Sequence, residues 1–228
     1  MRRELSGVIV PAVILLFALA GPVGAATWHV DSAEGNDTAS GDEAGPFKTL
    51  AHAMAKASGG DTIVLHGGAY ASIQGPNRNP IEDMYKDWVT IDAAPDTQPK
   101  IESVRLGFRA GVFVKANKRG AYSAYLRFKG IAFADGVAVY GGEHFELIDC
   151  RIERKGPWVG SVEAIEKVAV LLNTFDALVK DCEITNTGGG LTLTGKNIRA
   201  IGNHIHDITH DGIRCVSLHD SLIEANHI

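Results

Sequence analysis

The chain has 228 residues, 45% hydrophobic and 21% charged, with 26 glycines and 8 prolines, a composition that excludes a disordered polymer, a collagen-like fibre and a protein crossing a membrane many times. Its net charge of −5 argues against a nucleic-acid binder, which is normally basic. Three cysteines (Cys150, Cys182, Cys215) without a C-x-x-C are too few for a disulfide scaffold and wrongly spaced for zinc.

Residues 1–26 read as a secretory signal. Arg2 and Arg3 make a basic start, residues 8–20 are apolar, and Gly21-Pro22 followed by Val23-Gly24-Ala25-Ala26 makes a cleavage region. The apolar run is shorter than the ~18 residues a span requires, and no other run reaches that length. The mature protein is therefore expected to be secreted or periplasmic, without a membrane span. Asn36-Asp37-Thr38 is a glycosylation sequon.

Residues 28–30 read as a short strand and residues 31–45 as a loop rich in Gly, Asp and Ser. Pro46 suits a first helical turn, and Phe47, Leu50, Ala53, Met54 and Ala57 recur at helical spacing, which predicts a helix over 47–58. Gly59-Gly60 ends it. A strand over 61–65 follows and breaks at Gly67-Gly68.

The second half repeats one short pattern: LRFKGIAF (126–133), FELIDCRI (145–152), ALVKDCEI (177–184), IRAIGNHI (198–205) and SLIEANHI (221–228). A period of ~20–25 residues built from short strands is the mark of a solenoid. A second strand precedes the later copies, at residues 137–139, 168–170, 191–193 and 213–215. Stacking the copies places Phe128, Leu147, Val179, Ala200 and Ile223 in one inward row, and Phe133 with Ile152, Ile184, Ile205 and Ile228 in another. Ile131, Cys150, Cys182, Asn203 and Asn226 then share a turn, where stacked asparagines can pass hydrogen bonds from coil to coil. Cys150 and Cys182 read there as buried thiols acting as small hydrophobes rather than as a disulfide.

Residues 28–70 resemble the N-terminal signature of the pectate-lyase-like superfamily of secreted β-helix proteins, and are most similar to family 9 pectate lyases and their relatives. The matching residues are Val30-Asp31, Gly35-Asn36-Asp37, Gly41, Pro46 to Leu50, Ala53, Gly60 to Ile63 and Gly67 to Tyr70. The resemblance implies an all-β, right-handed parallel β-helix with the 47–58 helix plugging its N-terminal end. The expected organisation is a signal peptide over 1–26, a strand, loop and capping helix over 27–60, and β-helix coils over 61–228. Because the sequence ends in the middle of a copy, the coils are expected to continue beyond Ile228 in a longer protein.

Lyases of this superfamily bind acidic sugars along one sheet face and abstract the proton beside a uronate carboxylate, which calcium or a basic side chain first neutralises. The outward positions of the aligned strands are Ala138, Tyr140, Ala169, Leu171, Thr192, Thr194, Arg214 and Val216, of which only Arg214 is charged. His206, Asp207, His210 and Asp211 precede it, in a stretch enriched in histidine. This places His210 as the base and Arg214 as the carboxylate binder. Asp211 is an orienting group and, with Asp207, a calcium pair. The alternative is an ordinary polar turn leading into a structural strand. Paired catalytic aspartates and the Gly-His-Gly turn of the hydrolase relatives are missing.

Trp158, in an insertion over 155–167, and Tyr140 and Thr192 on the outward face are the expected sugar contacts. The long excursion over 75–88 (Arg78, Asp83, Tyr85, Lys86) and the basic group Lys115, Lys118, Arg119 are candidate specificity elements. The expected function is a polysaccharide lyase acting on an acidic polysaccharide by β-elimination, with calcium as its cofactor and a monomeric state. The alternatives are a non-catalytic glycan-binding protein and a structural β-helix segment.

Overall fold

A computed structural model of the chain describes residues 24–75, 82–109, 112–113, 122–154 and 168–228. Residues 1–23 of the signal, Arg78, the Lys115/Lys118/Arg119 group and the insertion carrying Trp158 lie outside the described residues.

The chain winds as a right-handed parallel β-helix with three faces. The second face contains Thr27–Val30, Thr62–Leu65, Val89–Ala93 and Tyr122–Lys129, and continues to Leu222–Glu224. The third runs from Ala69–Tyr70 through Lys100–Ile101, Ala132–Phe133, Arg151–Glu153 and Glu183–Thr187 to His204–Ile208. The first face begins at Ile73–Gly75 and Val104–Leu106 and ends at Ile213–His219. Between these, the strands Val137–Ile148, Val168–Lys180 and Gly189–Ile201 are long enough to serve the first and second faces in one run. They bend at His144, Asp176 and Asn197, whose φ values of 62°, 51° and 55° are left-handed. All pairings are parallel among the described strands except the hairpin of Phe108–Arg109 with Val112–Phe113.

Both inward rows fall in register as the repeat requires. Ile63, Ile91, Phe128, Leu147, Val179, Ala200 and Ile223 oppose one another in turn, as do Tyr70, Ile101, Phe133, Ile152, Ile184 and Ile205. Burying each of the large aliphatic and phenylalanine side chains of the inner coils contributes roughly 1.5–3 kcal/mol. Ile223, Val216, Leu222 and Ile228, in the last coil, are exposed. Cys150 and Cys182 are buried free thiols, whereas Cys215, expected to face inward, is exposed, because its strand has a neighbour on one side only.

The turn between the second and third faces is closed by asparagine. Asn203 Oδ1 accepts from the Cys182 N–H at 3.0 Å, and its Nδ2 donates to Val179 O at 3.0 Å. Asn226 Nδ2 makes the corresponding bond to Ala200 O at 2.9 Å.

The N-terminal segment differs from expectation in two ways. Thr27–Val30 already pairs in parallel with Thr62–Leu65, so the stack starts ahead of residue 61 and the helix is an excursion between two of its strands. The helix itself spans only Leu50–Lys56, with Thr49 as N-cap. Phe47 is extended instead, because it bridges to Val30 and stacks on Trp28 at 5.6 Å. Asp37 fixes this arrangement: Oδ1 accepts from the Lys48 and Thr49 N–H groups, and Oδ2 from Thr49 Oγ1 at 2.8 Å. Gly35 lies so near that a Cβ there would sit 2.1 Å from Phe47 O. The Gly-Asn-Asp signature is thus a clamp on the helix start. Leu50 and Ala53 are the buried side of the plug.

Candidate functional site

Strand register sets one outward row on the first face: Gln74, Arg105, Ala138, Leu171, Thr192 and Arg214. Ala138 was expected opposite Ala169, but it opposes Leu171, and Tyr140 opposes Asn173. Val168 to Leu172 is an unbroken apolar run, so alternation alone does not set its register. The row also holds a second cation. Arg105 pairs with Asp135 at 3.0 Å, and Asp135 also takes Arg154 at 3.2 Å.

Arg214 is exposed and makes no hydrogen bond or ion pair with the described residues. Thr192, its register partner, is half-buried. Tyr140 faces outward as expected from its parity, yet it is only 6% exposed and packs with Ala138 and Leu171 in a small apolar cluster outside the main core. His210 and Asp211 lie in the turn before Arg214, with His210 Nδ1 3.1 Å from Asp211 Oδ2. The backbone fixes this turn, since Gly190 N–H donates to Asp211 O and Leu191 N–H to Gly212 O, each at 2.9 Å.

Asp207 stands on the third face, at a left-handed bend opposite Asn186. It holds His206 Nδ1 at 2.9 Å, while Glu183 Oε1 meets His206 Nε2 at 3.2 Å. Asp207 first, and Glu183 next, raise the His206 pKa above its ordinary 6.5. His204 stacks on His206 at 4.4 Å, and His227 lies 5.0 Å from His204. Asp207 and Asp211 offer the oxygens calcium prefers. They do not, however, converge with a third Asp, Glu, His or Cys among the described residues.

Beside the Arg214 row, a groove of about 410 Å³ is lined by Asn173, Phe175, Thr194, Lys196, Ser217 and His219. Lys196 also pairs with Asp220 at 3.0 Å. Asn173 Oδ1 is buried there without a hydrogen-bond partner among the described residues. Amide, hydroxyl, cation and aromatic groups in one groove match the chemistry of a sugar's hydroxyls, carboxylate and apolar face.

The bend between the first and second faces carries groups that sequence reasoning missed. Trp88, Tyr125, His144, Asp176, Asn197 and Asp220 form its ladder; most of them immediately precede the repeated pattern, which is the signal that locates them. Tyr125 and His144 stack at 4.1 Å, and Trp88 meets both edge-on. Arg127 covers the Trp88 ring at 4.6 Å and binds Glu146 at 2.6 Å. Glu143, His144 and Asp176, all half-buried, bring one ligand atom each within 4.8 Å of the others.

These features place the protein among right-handed parallel β-helix proteins. Residues 135–228 match the family described as a right handed beta helix region, and residues 33–97 match one described as a protein of unknown function, DUF1565. A search of curated proteins finds no match. Among solved structures, the fold is similar to the pectate lyase Pel9A, at a TM-score of 0.57 and 15% identity, over 83% of this chain and 50% of that one. The chain therefore spans about half the length of that lyase. A GH136 lacto-N-biosidase from Eubacterium ramulus matches at a TM-score of 0.46 and 15% identity (88% of this chain, 41% of that one). A rhamnogalacturonan lyase matches at 0.34 and 13% (88% and 62%).

Proposed function

We propose that the protein is a secreted or periplasmic carbohydrate-active β-helix that cleaves an acidic, uronate-containing polysaccharide by β-elimination along its first face. The observation that carries this reading is Arg214, an exposed guanidinium without a partner among the described residues, in line with Thr192 and beside the groove of Asn173, Thr194, Lys196 and His219. A guanidinium binds a carboxylate bidentately and stabilises charge that develops next to it. With the uronate carboxylate so held, His210 takes the C5 proton, the electron pair forms the C4–C5 double bond, and the C4–O4 bond breaks, the departing oxygen taking a proton from water. Asp211, 3.1 Å from His210 Nδ1, orients the imidazole. Asp207 and Asp211, the candidate calcium pair, are engaged instead by His206 and His210. Trp158 remains a proposed sugar contact, with Thr192; the buried Tyr140 supports the wall of the face rather than touching substrate.

The second reading is non-catalytic glycan binding, favoured by the groove's mixture of amide, hydroxyl and cationic groups. The full chain incubated with polygalacturonate, alginate or another uronate polymer is expected to generate the ultraviolet absorbance of an unsaturated uronate. Retention on the polymer without that product would replace the lyase reading by the binding one.

A further inference from the structure

We propose that the bend between the first and second faces binds a divalent transition-metal ion of the zinc class, held by Glu143, His144 and Asp176. The register creates the site: Glu143 opposes Phe175, so His144 stands beside Asp176 of the next coil, and Glu143 is its chain neighbour. One ligand atom from each lies within 4.8 Å of the other two. The His144 ring is held in place by its stack on Tyr125 at 4.1 Å and by the edge of Trp88.

Charge supplies an independent observation. Several neighbouring carboxylates of the outer surface meet cations, among them Glu146 with Arg127, Asp92 with Lys129, Glu183 with Arg151, Asp135 with Arg105, and Asp220 with Lys196. Glu143 has neither ion pair nor hydrogen bond among the described residues, and Asp176 has only the side-chain amide of Asn197. Two half-buried carboxylates this close repel each other, and a divalent cation between them reverses that penalty.

The donor set selects the ion. One imidazole nitrogen and two carboxylates, with water completing the sphere, suit zinc and its first-row neighbours, whereas calcium takes ~6–8 oxygens. The site is separate from the Arg214 row and does not depend on the lyase reading. Its consequence is mechanical: the ion ties two consecutive coils together at the point where their strands bend, next to the groove that Phe175 lines.

The test is calorimetric titration of zinc chloride into the chelator-treated full chain, with thermal unfolding as a second readout. One equivalent is expected to bind and to raise the melting temperature. His144→Ala, Glu143→Gln and Asp176→Asn should each weaken binding at least ~10-fold, the scale on which even outer-shell partners act. Without metal, Glu143→Gln should be at least as stable as wild type, because it removes the repulsion. The stacked histidines of the third face are competing zinc ligands, so a His204→Gln/His206→Gln variant must retain the affinity. No zinc uptake, unchanged uptake in Asp176→Asn, loss of uptake in the His204/His206 variant, or tighter binding of calcium than of zinc would each overturn the proposal.

Discussion

Asn203 donates its side-chain amide to Asn226 Oδ1 at 2.8 Å, joining two successive coils through the interior of one turn. The same side chain serves the Cys182 N–H and Val179 O of the coil before, so one residue satisfies polar groups on both coils that flank its own. It is 1% exposed, and no water replaces those bonds when it is lost.

Asn203→Leu should therefore destabilise the protein by ~3 kcal/mol, from two buried backbone groups left unpaired at ~1–3 kcal/mol each. Urea unfolding gives the number. A change under ~0.5 kcal/mol, the level of a surface substitution, would mean the ladder follows the stack rather than supporting it.

Leu50, 4% exposed, is the main apolar anchor of the helical plug. Leu50→Ala should cost ~2–5 kcal/mol, the usual range for a core leucine. The same unfolding experiment checks it, and a cost below ~1 kcal/mol would show that the helix does not plug the stack.

Asp61 ties the first strand to the helix end. In the full chain, burial works to raise its carboxyl pKa, but the N–H groups of Ala26 (2.7 Å) and Ser58 (2.9 Å) and the Trp28 Nε1–H (3.1 Å) together win, leaving it below 3.8. A depressed acid contributes stability that is complete above its unfolded value and lost as pH falls through its folded value. Asp61→Asn should thus be less stable than wild type at neutral pH, by ~2–4 kcal/mol for the charged hydrogen bonds lost. The gap should narrow below pH 3.8. Melting curves at several pH values decide this; a gap that widens in acid contradicts the sign.

His206 titrates in the opposite sense. Asp207, and then Glu183, raise its value above 6.5, so its contribution is complete below 6.5 and fades as pH rises through the higher folded value. His206→Gln should lower the melting temperature more at mildly acidic than at mildly alkaline pH. An equal deficit at both would show that the ring acts by packing on His204 alone.

On an accepted uronate substrate, Arg214→Ala should lower kcat ~100-fold or more, the scale for losing one donor that stabilises developing charge. His210→Ala should do comparable damage, on the order of 100-fold for a lost general base. Initial-rate kinetics separate the two roles, because Arg214→Lys should restore part of the carboxylate binding and Lys does not replace His210. Wild-type rates in both alanine variants would reduce this turn to a structural coil.

Most of the architecture was readable from residues, because an inward side chain in a stacked coil has to be apolar and the repeat then marks its row. Phe128 to Ala200, Phe133 to Ile205 and the Asn203–Asn226 turn all fell where that rule placed them. The rule loses its power where polarity does not alternate. Across Val168 to Leu172 every residue is apolar, so only strand pairing fixed Leu171 opposite Ala138. Pro46-Phe47 satisfied helix statistics, but the bridge of Phe47 to Val30 and the Asp37 clamp on Thr49 delayed the helix to Leu50. Arg105 joined the row of Arg214, and Glu143, His144 and Asp176 met at one bend, only because the solenoid superimposes residues remote in the chain. Hydrophobic periodicity is local and therefore written in the sequence; coincidence between polar groups on different coils depends on register and bend geometry, which only the folded chain determines.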